Sequence, residues 1–164
     1  MASRRRDRAH LAVVIATIAQ LSISGGGVPK HAILEAYVTR LGLAGDVQKH
    51  TKIHGGPDRA VCLFALEVID ALRAEGHPIS PGSTGENVTI RGLDWITLGP
   101  GSRLALGADV VLEITELTDP CKQITASFLD GNFRRILLRG DSRLYARVLA
   151  EGTLRPGDPV VVIA

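Results

Sequence analysis

At 164 residues the chain fits one compact domain, and a hydrophobic content of 45% is enough for a buried core. Aromatic residues make up only 4%, so the core is aliphatic and offers few surfaces on which nucleic-acid bases could stack. The formal net charge of the chain is +2. The arginine-rich start of the chain is more positive than the chain as a whole, so the remaining residues carry a slight negative charge. We therefore expect residues 1–10 to be a disordered basic arm, residues 11–164 to be a nearly neutral single domain, and nucleic acid not to be a partner.

The cysteine content limits the compartment and the kinds of site. Cys62 and Cys121 are too few for a disulfide framework or for a four-cysteine zinc or iron–sulfur site. They favour a reducing compartment, which we take to be the cytoplasm, and Cys62 lies in an apolar run that predicts core packing. The apolar run over 11–19 is too short to span a membrane, so we expect no membrane partner.

The first half of the chain predicts short strands. Alternation over 17–24 predicts a first strand, with Leu21 and Ile23 on its apolar face. A second strand is predicted over 33–39, after a glycine-rich loop, and a short buried strand over 60–64.

A single helix is predicted next. Val68, Ile69 and Leu72 repeat at helical spacing, and Gly76 and Pro78 end the pattern. Turn residues then separate further extended segments, predicted over 87–90, 94–98, 103–106, 110–117, 144–148 and 159–163. Short strands divided by glycine and proline favour a closed or nearly closed β-barrel over a βαβ sheet.

Three glycine-rich loops, 24–30, 54–59 and 81–87, are candidates for anion binding. Glycines let backbone N–H groups approach an anion, and Lys30 and Arg59 could supply the positive charge. The alternative is that these glycines serve only hairpin turns. The first loop lacks the Gly-Lys-Ser/Thr ending of a Walker loop and the glycine spacing of a dinucleotide site, and no serine-hydrolase motif is present.

Cys121 is the candidate reactive group. It follows a strand-like run, with Asp119 placed as a helix N-cap and Pro120 at the first helical position. A thiol in the first turn would be favoured as the thiolate by the helix dipole and by Lys122, which suggests sulfur transfer or ligation of a soft metal. The alternative is an inert, partly buried cysteine.

The order of several motifs along most of the chain resembles the MOSC domain, the module named after the C-terminal part of molybdenum-cofactor sulfurases. The motifs are Gly-Gly-Val-Pro-Lys at 26–30, Gly-Leu-Ala-Gly-Asp at 42–46, His-Gly-Gly-Pro-Asp-Arg-Ala-Val at 54–61, Gly-Glu-Asn at 85–87, Pro-Cys at 120–121 and Arg-Pro-Gly-Asp at 155–158. Each motif alone is weak, and their order makes the resemblance specific.

The resemblance implies a mostly β fold with a few short helices, a barrel of the kind also found in pyruvate kinase. It implies that the molybdenum cofactor (molybdopterin) or a related anionic ligand binds here, and that Cys121 either carries sulfur as a persulfide or ligates molybdenum. The residues it implies for the cofactor cleft are Lys30, Asp46, His54, Gly55, Gly56, Arg59, Glu86 and Asn87.

The sequence departs from larger relatives in carrying neither a pyridoxal-phosphate-dependent desulfurase domain nor the cysteines of an iron–sulfur domain. Sulfur-carrier chemistry would then need a separate cysteine desulfurase. The second hypothesis, a molybdenum-dependent reductase of N-hydroxylated compounds, would need a separate electron-transfer protein. A non-catalytic cofactor-delivery module is the third. Short edge strands are compatible with a monomer or a homodimer.

Overall fold

The computed structural model of the protein describes residues 15–48 and 55–164. The predicted arm at 1–10 and the predicted site residue His54 lie outside these ranges. Within them the strands are β1 (Thr17–Ile23), β2 (His31–Ile33), β3 (Ala36–Thr39), β4 (Gly42–Leu43), β5 (Val61–Ala65), β6 (Val88–Arg91), β7 (Arg103–Leu106), β8 (Val110–Leu117), β9 (Leu144–Ala150), β10 (Gly152–Leu154) and β11 (Val160–Ile163). The prediction of a mostly β fold is confirmed.

The helices are short. One α-helix, α1 (Leu66–Ala74), is described, and it buries Ile69 and Leu72 as the spacing predicts. The remaining helical segments are 3₁₀ helices at Pro57–Arg59, Trp95–Thr97, Lys122–Ser127, Leu129–Gly131 and Phe133–Gly140. Within residues 15–48 and 55–164, no helix has the length and apolar character needed to cross a membrane.

Eight strands form one sheet in the order β11-β7-β8-β9-β5-β6-β1-β2, and β10, β3 and β4 form a second sheet of three. Among the strands that the structure describes, the larger sheet is not closed as a barrel. A bridge between Thr17 and Pro159 and a hydrogen bond from the Ile18 amide to the Asp158 carbonyl, 2.9 Å long, link β1 to the start of β11. The described contacts therefore bring β1 close to β11 without a continuous ladder between them.

One βαβ unit interrupts the antiparallel pattern. Strands β5 and β6 pair in parallel, and α1 lies between them in the sequence. Parallel neighbours require a crossover connection, which α1 supplies. The sequence analysis did not predict this parallel connection.

The predicted apolar face of β1 holds at Leu21 and Ile23 and is wrong at Ile18. Leu21 is buried as expected, but Ile18 is buried as well, although strict alternation puts them on opposite faces. The pairing of β1 with β6 shifts register between Ile18 and Gln20. Such a bulge adds a residue to one strand and reverses the alternation beyond it.

Two further segments differ from prediction. The single strand predicted over 33–39 is divided between β2, in the large sheet, and β3, in the small one. The strand predicted over 94–98 is a 3₁₀ helix at Trp95–Thr97, and the buried Trp95 indole donates to the Ser142 carbonyl at 2.9 Å. In both places long-range packing overrides local extended propensity.

Candidate functional site

A row of paired residues crosses the middle of the large sheet. Leu144 of β9 pairs with Leu63 of β5, and Leu63 pairs with Val88 of β6. These three side chains belong to the hydrophobic core. Because successive strand residues face opposite sides, the residues next to this row point to the other face of the sheet.

That other face carries a cavity. Four of its lining residues, Cys62, Asn87, Arg143 and Tyr145, each lie one position from the core row. The described residues that line the cavity are Gly27, Val28, Lys30, Val47, Gln48, Cys62, Thr84, Gly85, Asn87, Cys121, Gln123, Ile124, Arg143 and Tyr145. Sheet alternation thus explains why polar groups are buried here beside an aliphatic core.

Cys121 lies on the cavity wall and is partly buried. Its backbone is extended, and it directly precedes the 3₁₀ helix Lys122–Ser127, with its carbonyl accepting from the Ile124 amide at 3.1 Å. The prediction that Asp119 caps an α-helix with Cys121 in its first turn was wrong. A six-residue 3₁₀ helix has only a weak dipole. Positive charge close to the Cys121 thiol therefore comes from cationic side chains.

Lys30 and Asp46, predicted from different motifs, form a buried ion pair. Their side chains are 9% and 4% exposed. Asp46 Oδ2 also accepts from Asn87 Nδ2 at 2.9 Å, and Oδ1 accepts from the Ser24 amide at 2.9 Å. Lys30 lines the cavity, but its charge is balanced by Asp46.

Asn87 joins strands around the cavity. Its Oδ1 accepts from the Cys62 amide at 3.0 Å, and Nδ2 donates to Asp46 and, at 3.3 Å, to the Ser22 carbonyl. Both ends of the side-chain amide are therefore used within the protein. Asn87 shapes the wall and positions Asp46, although it also faces the cavity.

Glu86 is fully buried and is not part of the cavity lining. Its carboxylate accepts from the Gly82 amide at 2.6 Å and from the hydroxyls of Thr84 and Thr89 at 2.7 and 3.3 Å. These bonds fix the loop that precedes β6. Glu86 therefore stabilises a loop that lines the cavity but does not line the cavity itself.

Two of the three glycine-rich loops meet. The Lys30 amide donates to the Gly82 carbonyl at 2.9 Å. A Cβ on Gly82 would lie 2.4 Å from the Lys30 carbonyl oxygen, and a Cβ on Gly85 would lie 2.9 Å from Val28 Cγ1. The glycines at 82 and 85 therefore permit the close approach of loops 24–30 and 81–87, which form one side of the cavity.

The third loop does not reach the cavity lining in the residues described. Gly55 and Gly56 are absent from the lining, and Arg59 ends the 3₁₀ helix Pro57–Arg59. The Arg59 guanidinium pairs with Glu116 and lies 5.4 Å from the centroid of the Tyr145 ring. The carboxylate of Glu116 holds the pKa of Arg59 above its usual range. Arg59 thus supports the cavity wall through Tyr145.

Cys62 is buried as predicted, but it also faces the cavity. Burial raises the pKa of its thiol, an effect that Arg143 and Lys30 oppose and Glu86 reinforces. Sequence reasoning assigned Cys62 to the core because its neighbours are apolar. Only the pairing of Cys62 with Tyr145 across β5 and β9 places it beside the polar face.

Arg143 is the main residue that sequence reasoning missed. It precedes β9, is 6% exposed and lines the cavity, and its guanidinium donates through Nη1 to the Thr84 carbonyl. The Thr118 amide donates to the Arg143 carbonyl at 2.9 Å, which fixes the backbone where β8 and β9 meet. No sequence signal marked it, because arginines are usually exposed and this one belongs to no motif.

The comparisons with known proteins agree with this architecture. The family model of the MOSC domain matches residues 50–161. This chain belongs to the MOSC domain family. The match includes β5 to β9 and therefore Cys62, Arg143 and Cys121, and the earlier motifs at Lys30 and Asp46 lie before it.

Two relatives and one solved structure illustrate the similarity. YflK of Bacillus subtilis (strain 168) is 31% identical over 117 residues, which are 69% of this chain and 52% of YflK. A protein of Gibberella moniliformis (strain M3125 / FGSC 7600) named Reductase is 27% identical over 132 residues, 77% of this chain and 23% of that protein. This MOSC chain therefore spans about half of one relative and less than a quarter of the other.

The crystal structure of YiiM from Geobacillus stearothermophilus shares the fold. Its TM-score is 0.75 at 23% sequence identity, and the alignment covers 91% of this chain and 75% of the YiiM chain. At that identity the comparison establishes a common fold.

Proposed function

We propose that this MOSC protein binds the molybdenum cofactor in the Cys121 cavity and that Cys121 carries sulfur as a persulfide in cofactor sulfuration or a related sulfur transfer. The observation that supports this most is that the tertiary structure brings Cys121 into one cavity with Lys30, Asn87 and Arg143. Membership of the MOSC family supports the choice of cofactor.

The residues present fit an anionic organic group. Arg143 Nε is buried without a hydrogen-bond partner, and Lys30 also lines the cavity. The two glycine-rich loops bring backbone to the rim of the cavity, and Gln123 adds an exposed amide. Arg143, Lys30, Gln123 and the loop at Gly27 and Gly85 would hold the cofactor, which supplies a molybdenum centre able to take sulfur or oxygen ligands.

Sulfur loading of Cys121 balances without a further redox partner. The Cys121 thiolate attacks the outer sulfur of a donor persulfide, and the new S–S bond on Cys121 forms as the donor S–S bond breaks. The donor thiolate leaves with the electron pair. We assign the donor role to a separate cysteine desulfurase. We place the reaction in the cytoplasm, a reducing compartment, because both described cysteines are free thiols.

The matched pair Cys121→Ala and Cys62→Ala tests the carrier role. Each purified variant is incubated with a cysteine desulfurase and cysteine, and persulfides are labelled and located by mass spectrometry. We expect labelling of the wild type and of Cys62→Ala and none of Cys121→Ala. Undiminished labelling of Cys121→Ala would exclude Cys121 as the carrier.

The second candidate is a molybdenum-dependent reductase of N-hydroxylated compounds, with Cys121 as metal ligand and electrons from a separate protein. The similarity to the Gibberella protein named Reductase favours it. Molybdenum and pterin analysis of native-host protein discriminates the candidates. Stoichiometric molybdenum that disappears in Cys121→Ala favours ligation, and equal pterin and molybdenum in both proteins favours a non-catalytic delivery module.

A further inference from the structure

Among the described residues that line the cavity, Arg143 is a cation that no acidic side chain neutralises. Arg143 is 6% exposed, its Nε has no hydrogen-bond partner, and its Nη1 is bonded to a neutral carbonyl, that of Thr84. None of the aspartates and glutamates in the described ranges forms an ion pair with it. A guanidinium stays charged at any accessible pH, so its burial without a counter-ion is unfavourable.

The two cations that the sequence motifs suggested are already paired within the part of the chain that the structure describes. Lys30 is bonded to Asp46, and Arg59 is bonded to Glu116 outside the cavity lining. The buried Glu86 is linked to Arg143 through Thr84, but its carboxylate already accepts three hydrogen bonds. An incoming anion would therefore gain the most binding free energy by pairing with Arg143.

We propose that Arg143 is the oxyanion-binding residue of this cavity and that it binds a phosphate-type group beside Cys121. A planar guanidinium with free N–H donors suits the tetrahedral oxygens of a phosphoryl group, and charge-assisted bonds in a buried site are stronger than neutral ones. This deepens the proposed function, on which it rests, because it assigns the phosphate contact of the bound ligand to Arg143, whereas the sequence motifs suggested Lys30 and Arg59 for that contact.

The test measures binding of small anions by calorimetry to purified wild type, Arg143→Gln and Arg143→Lys. Arg147→Gln is the matched control, because Arg147 lies on β9, the strand that Arg143 directly precedes, and is an exposed, ion-paired arginine. Inorganic phosphate is the first probe, and methyl phosphate tests whether a phosphoryl group on an organic ligand is accepted. We expect Arg143→Gln to weaken phosphate binding by about tenfold or more, the effect of one charge-assisted hydrogen bond, and Arg147→Gln to change it less than about twofold.

A second readout locates the anion and does not depend on Arg143→Gln folding well. In the wild type, phosphate should slow alkylation of Cys121 by iodoacetamide, followed by peptide mass spectrometry, because both occupy one cavity. Arg143→Lys keeps the charge but loses the planar fork, so it should bind phosphate more weakly than wild type and more tightly than Arg143→Gln. Unchanged phosphate affinity in Arg143→Gln, or no protection of Cys121, overturns the inference.

The methyl phosphate arm separates the sources of the anion. Comparable binding of methyl phosphate indicates an organic phosphate ligand, and binding of inorganic phosphate alone indicates a free oxyanion. Either result supports the proposal if Arg143→Gln weakens the binding by the expected factor. Failure of the proposed function and failure of the Arg143 inference give different results. Phosphate binding through Arg143 without any pterin in native-host protein contradicts the cofactor, whereas pterin retained equally by wild type and Arg143→Gln contradicts the role of Arg143.

Discussion

Replacing Asp46 by Asn should cost far more stability than its small change in shape suggests. In the wild type, Oδ1 accepts from the Ser24 amide and Oδ2 accepts from both Lys30 and Asn87. An asparagine has a single acceptor oxygen, so one rotamer turns its NH₂ group toward Lys30 and Asn87 and the other turns it toward Ser24. Either way a buried donor faces a donor, and the Lys30 ammonium loses its counter-charge.

The magnitude follows from burial. Removing one partner of a buried ion pair costs about 3–5 kcal/mol, a large part of the roughly 5–15 kcal/mol that stabilises a typical domain. Lys30→Met should cost less, about 1–3 kcal/mol, because Asp46 keeps its bonds to Ser24 and Asn87. The double variant should be more stable than the sum of the single losses predicts, since it removes the unpaired ammonium.

Urea unfolding followed by circular dichroism gives the free energies for this cycle. Glu35→Gln is the control, because Glu35 pairs with Arg155 where both side chains are more than half exposed, and such pairs contribute about 1 kcal/mol or less. A loss for Asp46→Asn no larger than that of Glu35→Gln, or strict additivity in the double variant, would refute the reasoning.

Two further effects on stability follow from single positions. Burial raises the pKa of Cys62 above its ordinary value of 9.0, so at higher pH the unfolded chain releases a proton that the folded protein keeps. The free energy of unfolding should therefore fall by up to about 1.4 kcal/mol per pH unit, and urea titrations from about pH 8 to pH 10 should show a shallower decline for Cys62→Ala. Gly42→Ala should destabilise by about 1–3 kcal/mol, because φ is +121° and the new Cβ would lie 2.5 Å from the Ala60 carbonyl oxygen. Gly99→Ala, with open space around it, should change thermal stability by about 0.5 kcal/mol or less, and equal losses at both glycines would contradict the steric argument.

Local sequence patterns predicted much of the fold. The alternation of Val110, Leu112 and Ile114 with less buried residues appears in β8 as predicted, and the helical spacing of Ile69 and Leu72 appears in α1. These predictions succeed because the spacing of apolar residues within a short segment indicates its secondary structure and its buried face. They failed where a distant partner decided the outcome, as in the bulge that reverses the faces of β1.

The sequence by itself determined the family, through ordered motifs, and singled out Cys121 as the candidate reactive thiol. Only the tertiary structure decided the charges around it. Lys30 meets Asp46 across 16 residues of chain, and Arg143 meets the Thr84 carbonyl across 59. Whether a cation is neutralised or left for a ligand depends on such long-range contacts. A motif names the residue type at a position, but the electrostatics of a buried group depend on every group packed against it, and that packing exists only in the folded chain.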